Sequence, residues 1–237
     1  MARIETERLR NVALLSHSGA GKTMLSESML FGSGATTRLG TIEEGTTVSD
    51  FEPEEQRRQG SVQTSITPCI WRDNKINVVD TPGYADFRGE VLTSVRVADS
   101  AIILVAAPSG IEVGTQQMWK IADEGGLNRI LFVNKLDREN TDFQKVVRDL
   151  EDTFGKKCVP IQLVVGTEAD FSAVINLLDP KSVVPEGMEE QVEAARERLV
   201  EAVAETDDNL ATKYLEGDEI TIEEMITGLK GGVESGE

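Results

Sequence analysis

The sequence predicts an α/β fold: a mixed, mostly parallel sheet flanked by helices in three layers, with a small, acidic, mainly helical subdomain. Three observations predict it. Short runs rich in Val and Ile alternate with amphipathic helical patterns, and such runs suit strands buried on both faces. One further run stands only four residues before its neighbour, the spacing of a hairpin. Late in the chain the charge turns strongly acidic and apolar residues recur at helical steps.

The elements follow in order. Residues 12–15 (VALL) form the first strand. The run 62–71 is separated from 76–80 (INVVD) by residues 72–75, so these two should pair antiparallel at a sheet edge. Residues 101–106 (AIILVA), 130–134 (ILFVN) and 159–165 (VPIQLVV) continue the series. Helical patterns lie at 22–31, 88–97, 115–124 and 142–154. Strand–helix alternation predicts parallel pairing with right-handed crossovers. Further on, Met188, Val192, Ala195, Leu199 and Ala202 mark one apolar helix face, and Ile222, Met225, Ile226 and Leu229 another. The tail 231–237 (GGVESGE) reads as a flexible end.

Composition sets limits. With 237 residues, 39% of them hydrophobic, the chain can bury a sizeable core, which argues against wholesale disorder. There are 42 acidic and 24 basic residues, a net charge of −18. That balance argues against gripping nucleic acid by charge alone and against a basic membrane-surface helix. No apolar window is long enough to span a bilayer, and the charged N-terminus has no signal-peptide core. Cys69 and Cys158 stand apart in apolar stretches without metal spacing, and read as buried, reduced thiols of a cytoplasmic protein. There are no internal repeats or low-complexity tracts. From residue 186 onward there are 16 acidic and 4 basic residues, against 26 and 20 before it. The shift implies a boundary between about 165 and 187, near Pro180 and Pro185; the domains are read as 1–167 and 168–237.

Three motifs carry chemistry. Ser16-His17-Ser18-Gly19-Ala20-Gly21-Lys22-Thr23 follows a strand and opens a helix, as a phosphate-binding loop must. Backbone N–H groups and the helix N-terminus make an anion cradle. Lys22 would reach the β- and γ-phosphates and the Thr23 hydroxyl would ligate Mg²⁺. Ser16 stands where Gly is usual. The second motif, Asp80-Thr81-Pro82-Gly83, ends a strand on the side where ligands bind in open parallel sheets. Asp80 could hold Mg²⁺ through a water, and Gly83 could bring its N–H to a γ-phosphate. The third, Asn134-Lys135-Leu136-Asp137, offers a carboxylate for the paired guanine N–H donors that adenine lacks. Asn134 would tie loops together and Lys135 would stack on the base.

Each motif alone has a plainer reading: a Gly-rich turn with a solvated Lys, an Asp-capped turn, or a polar post-strand loop. Together, in order and each at a strand end, they point to a GTP-binding domain. A P-loop ATPase is the rival, and Asn134-Lys135-Leu136-Asp137 argues against it.

The sequence resembles the translational GTPases, and most closely the G domain of elongation factor G. Residues 80–88 (DTPGYADFR) look like switch II, and 132–138 (FVNKLDR) with Thr141-Asp142-Phe143 look like the guanine-specificity region. Residues 159–170 and 200–215 resemble the subdomain inserted into that G domain, and 43–54 (EEGTTVSDFEPE) is most similar to elongation-factor-G-like paralogues. The resemblance implies a P-loop GTPase fold binding GTP or GDP with Mg²⁺. Nucleotide contacts would come from His17, Ser18, Gly19, Ala20, Gly21, Lys22, Thr23, Asp80, Gly83, Asn134, Lys135 and Asp137. Metal contacts would come from Thr23, Ser61 and Asp80. Counting from Asp50 puts the family's Mg²⁺-ligating Thr on Ser61; an alignment through Gly60 puts it on Val62. Ser61 is preferred because Val62, Thr64 and Ile66 then continue a period-2 strand.

Lys22, Gly83 and Tyr84 are the expected catalytic residues. Two departures bear on turnover. Tyr84 stands where the family has the His that positions the attacking water, and Gly19 stands where it usually has Asp. A phenol can orient water but cannot carry the same charge at neutral pH. The resemblance thus implies either a GTPase acting on the ribosome or a GTP-gated ribosome-binding module with little hydrolysis. A nucleotide-independent ribosome-binding fragment is a weaker third reading. The implied partner is the ribosome, with no direct DNA contact, no membrane and a monomeric state. His17 reads as structural, Trp71 and Trp119 as core or sheet-edge aromatics, and the acidic run 216–224 as a solvated face. Docking of the acidic subdomain to the ribosomal stalk is the alternative for that run. No Ser-Ala segment, which covers guanine in the family, follows Val165, so the chain is expected to be the N-terminal part of a longer factor.

Overall fold

A computed structural model describes residues 4–236. These fall into two compact units that part between Lys135 and Leu136. The boundary expected at 167/168 lies inside the second unit.

The first unit is built on a five-stranded sheet of order β2-β3-β1-β4-β5. The strands are β1 (Leu9–Ser16), β2 (Ser65–Trp71), β3 (Asn74–Asp80), β4 (Ser100–Ala106) and β5 (Asn128–Asn134). β1 runs parallel to β3 and β4, and β4 parallel to β5. β2 is antiparallel to β3, with Trp71 opposite Asn74. Arg72 and Asp73 between them both have positive φ, the backbone of a two-residue hairpin turn. Ala13, Leu14 and Leu15 are all fully buried, yet they feed different cores. Ala13 and Leu15 pack with Val91, Ile103 and Ile121, under α3 (Arg88–Val95) and α4 (Val113–Glu124). Leu14 packs with Leu30, Val78 and Leu104, under α1 (Lys22–Gly32). This is why the strands read as continuous apolar runs.

The antiparallel strand is shorter than expected: residues 62–64 lie outside β2. Trp71 is half exposed on this sheet edge, and Trp119 is stacked under the Arg129 guanidinium, 4.4 Å from its ring centre. Between α1 and β2, a short helix α2 (Pro53–Arg58) interrupts a long loop. Pro53 sits at its first position and Glu52 and Glu55 cap it reciprocally.

The second unit holds α5 (Phe143–Phe154), a two-stranded antiparallel sheet of β6 (Gln162–Val165) and β7 (Ala173–Asn176), and three helices. The helices are α6 (Glu189–Ala204), α7 (Asp208–Glu216) and α8 (Ile222–Ser235). The run 159–165 was expected to extend the parallel series. Instead β6 pairs only with β7, Leu163 opposite Ile175, and both side chains join the core of this unit. That core contains Val192, Leu199, Val203, Leu210 and Met225. On α8 the buried face is Met225, Gly228 and Gly232, while Ile222 and Ile226 are exposed. Side chains at Gly228 and Gly232 would collide with Leu210, Val203 and Thr206, so small residues set the face. The expected flexible tail is helical through Ser235. Cys69 is buried, whereas Cys158 is only partly buried, and there is no disulfide.

Candidate functional site

The C-terminal ends of β1 and β3 bring the first two motifs together. β1 ends at Ser16, and the loop to α1 turns through Gly19 (φ +79°) and Gly21 (φ +103°). Gly21 is required twice, by its left-handed backbone and because a Cβ there would overlap the Asn134 amide. Asn134, at the end of β5, donates Nδ2–H to the Ala20 carbonyl at 2.9 Å. Lys135, itself at φ +62°, donates Nζ to the Gly19 carbonyl at 2.7 Å. The third motif thus braces the first from behind. From β3, Thr81 donates to the Leu14 carbonyl at 2.6 Å. A Cβ on Gly83 would lie 2.7 Å from Lys22 Nζ and 2.8 Å from Ser18 Cα, so only glycine permits this approach of the second motif to the loop.

Lys22 is buried and donates to the Ser16 hydroxyl at 2.8 Å. The unexpected Ser at the first loop position therefore supplies an acceptor. Burial lowers the Lys22 pKa to about 8, against the opposing charges of Asp80 and Asp50. Burial likewise raises Asp80 to about 6, opposed chiefly by Lys22. Neither Asp80 oxygen has a hydrogen-bond partner among the described residues; the Thr23 and Ser49 hydroxyls face it without closing a bond of standard geometry. Ser61 donates to Asp50 Oδ1 at 2.7 Å, and its Oγ lies 3.2 Å from Thr23 Oγ1. Burial raises the Asp50 pKa, and its second oxygen is unpartnered.

These residues fit a divalent cation. Adjacent ligands of an octahedral Mg²⁺ at 2.0–2.1 Å stand about 2.9 Å apart, close to the Thr23–Ser61 separation. The orphaned oxygens of Asp80 and Asp50 supply negative charge beside that pair. The strand argument that favoured Ser61 does not hold, since Val62 and Thr64 are outside β2; its hydroxyl is placed instead by the turn after α2.

The remaining expected residues lie less centrally. His17 is half exposed, its Nε2 3.5 Å from Glu112 Oε1. Tyr84 is 49% exposed, and a Cβ on Gly60 would lie 3.4 Å from its ring. Asp137 belongs to the second unit, where it is exposed and 3.9 Å from the Arg138 guanidinium.

Sequence reasoning used Asp50 only as a counting anchor and missed Glu27, Glu55 and Glu90. Glu27 and Glu55 are buried. Glu27 accepts from Val48 N–H at 2.6 Å and Glu90 from Thr64 N–H at 3.0 Å. The one available signal was the Glu52-Pro53-Glu54-Glu55 capping pattern.

Residues 7–227 match the family described as the elongation factor Tu GTP binding domain. A crystal structure from Thermus thermophilus is similar at 35% identity with a TM-score of 0.88; the match covers 96% of this chain and 36% of that one. The chain thus spans about a third of that relative.

Proposed function

Because the chain belongs to the elongation factor Tu GTP-binding domain family, we propose that it is the nucleotide-binding part of an elongation-factor-G-like protein. In this reading it binds GTP and GDP with Mg²⁺ in the cytoplasm and hydrolyses GTP on the ribosome as a monomer. The observation that carries it is the buried cluster of Lys22, Thr23, Asp50 and Asp80, with the partly buried Ser61 beside it. Its unpartnered carboxylate oxygens, and an ammonium whose hydrogen bond is to the neutral Ser16 hydroxyl, are costly to bury without a ligand.

Lys22 lies where it can turn from Ser16 to phosphate oxygens, and its charge opposes theirs. The backbone N–H groups of residues 18–23 and of Gly83 surround the phosphates. Thr23 and Ser61 offer hydroxyls to Mg²⁺, with Asp80 and Asp50 behind them. Mg²⁺ held there would supply positive charge against the phosphate oxygens. Asn134 and Lys135 hold the loop shape, and Asp137, two residues on, accepts from the guanine N–H pair. Tyr84 orients the attacking water. The acidic second domain, read as 168–237, docks to the ribosomal stalk.

A second reading is a GTP-gated module with little turnover. Tyr84 favours it: a phenol contributes no positive charge to the transition state. Single-turnover hydrolysis of GTP with and without ribosomes, beside Tyr84→His, separates them. Comparable rates support the GTPase. Binding without turnover until Tyr84→His is made supports the module. Absence of guanine-specific, Mg²⁺-dependent binding ends both.

A further inference from the structure

We propose that Glu55 is a positioning residue: its buried carboxylate holds Ser61 against Thr23 and Asp50 before nucleotide arrives. The inference rests on the reading of Thr23 and Ser61 as cation ligands.

Glu55 is 0% exposed. Every hydrogen bond recorded on its carboxylate comes from backbone N–H. Oε2 accepts from Glu52 at 3.2 Å; Oε1 accepts from Val62 at 2.9 Å and Gln63 at 3.2 Å. The first bond is the ordinary reciprocal cap of α2. The other two are not capping bonds, because they reach past the C-terminal end of the helix. One side chain therefore ties the entry of α2 to the segment that leaves it. A carboxylate at this depth is tolerable when its oxygens are occupied by N–H donors.

Ser61 is the residue just before the two clamped amides. The chain reaches it through Gln59 at φ +53°, and Gly60 donates back to the Glu55 carbonyl at 3.1 Å. With Val62 and Gln63 fixed, the Ser61 side chain has a set direction, and its Oγ meets Asp50 at 2.7 Å and Thr23 at 3.2 Å. Glu27 and Glu90 fasten the same loop at Val48 and Thr64, but only Glu55 bonds beside Ser61. Ser61 thus meets a cation in a preset position, so less ordering remains to be done on binding.

The test is a double-mutant cycle on the whole chain. It reads the Mg²⁺ concentration that half-saturates binding of a non-hydrolysable GTP analogue. Glu55→Gln should raise that concentration about tenfold, the scale of a lost outer-shell partner, and Ser61→Ala, which removes the ligand itself, by at least as much. The double variant should match Ser61→Ala alone, because Glu55 acts through that hydroxyl. Full additivity overturns the proposal. If Ser61→Ala shifts the requirement and Glu55→Gln does not, the cation reading stands and the proposal falls. If Ser61→Ala has no effect, both fall. Should Glu55→Gln not fold, amide exchange on the unaltered chain decides. Val62 and Gln63 should be protected without nucleotide, and exchange at unprotected rates overturns the proposal.

Discussion

The two units bury different things. Among the described residues every polar or charged side chain buried as a whole lies in the first unit, from Ser16 to Thr115; in the second the residues buried as a whole are apolar, and polar burial is confined to single atoms such as Glu151 Oε1 and Arg196 Nη2. The second carries its acidic residues on the outside of helices such as α6, where Glu189, Glu193, Glu197 and Glu201 are exposed. A core of Leu199, Val203 and Ile175 is satisfied by packing alone. A core that includes Lys22, Asp50 and Asp80 stores unmet polar demand, which a ligand can meet. The difference teaches that the first unit is shaped for a charged ligand and the second for its own cohesion.

Four changes test that contrast. The largest effect belongs to the apolar unit. Leu199→Ala removes a fully buried side chain and should cost about 2–5 kcal/mol. Chemical denaturation should show the loss while calorimetric GDP affinity stays the same; a parallel loss of affinity would break the contrast. Next, Lys22→Ala should weaken GDP binding by about 100-fold, on the scale of one lost preorganised charge contact, without lowering the melting temperature of the ligand-free chain. A large drop in melting temperature would make Lys22 a structural residue.

The third prediction concerns pH. Asp80 has its pKa raised to about 6 from 3.8, so between those values the folded state holds more protons than the unfolded one. Its contribution to ligand-free stability therefore falls as pH rises through that window. Subtracting the urea-unfolding profile of Asp80→Asn from that of the unaltered chain should isolate this decline; a flat difference would refute the assignment. The smallest effect has the opposite sign. Glu224 caps α8 and binds Lys213 at 2.9 Å, and its pKa is lowered to about 2 from 4.5. Its contribution is present above about 4.5 and is lost as pH falls toward 2. Being exposed, it should move the acid limb of the profile only slightly, and Lys213→Gln should flatten that part.

Local sequence carried the strand–helix alternation of the first unit and the glycine turns at Gly19 and Gly21. These are legible because they follow from local chemistry: runs buried on both faces must be apolar, and a left-handed turn needs glycine. Tertiary structure decided the rest. It alone assigned 159–165 to a pairing with β7, since an apolar strand carries no mark of its partner. It kept 231–235 helical by seating Gly232 on Thr206. It also put Glu55, Asp50 and Glu27 inside, although the first two read in the sequence as further charges in an acidic stretch and the third as a lone acid on a helix. Whether a carboxylate faces water or three backbone N–H groups depends on residues brought together from distant parts of the chain, and no local pattern records that meeting.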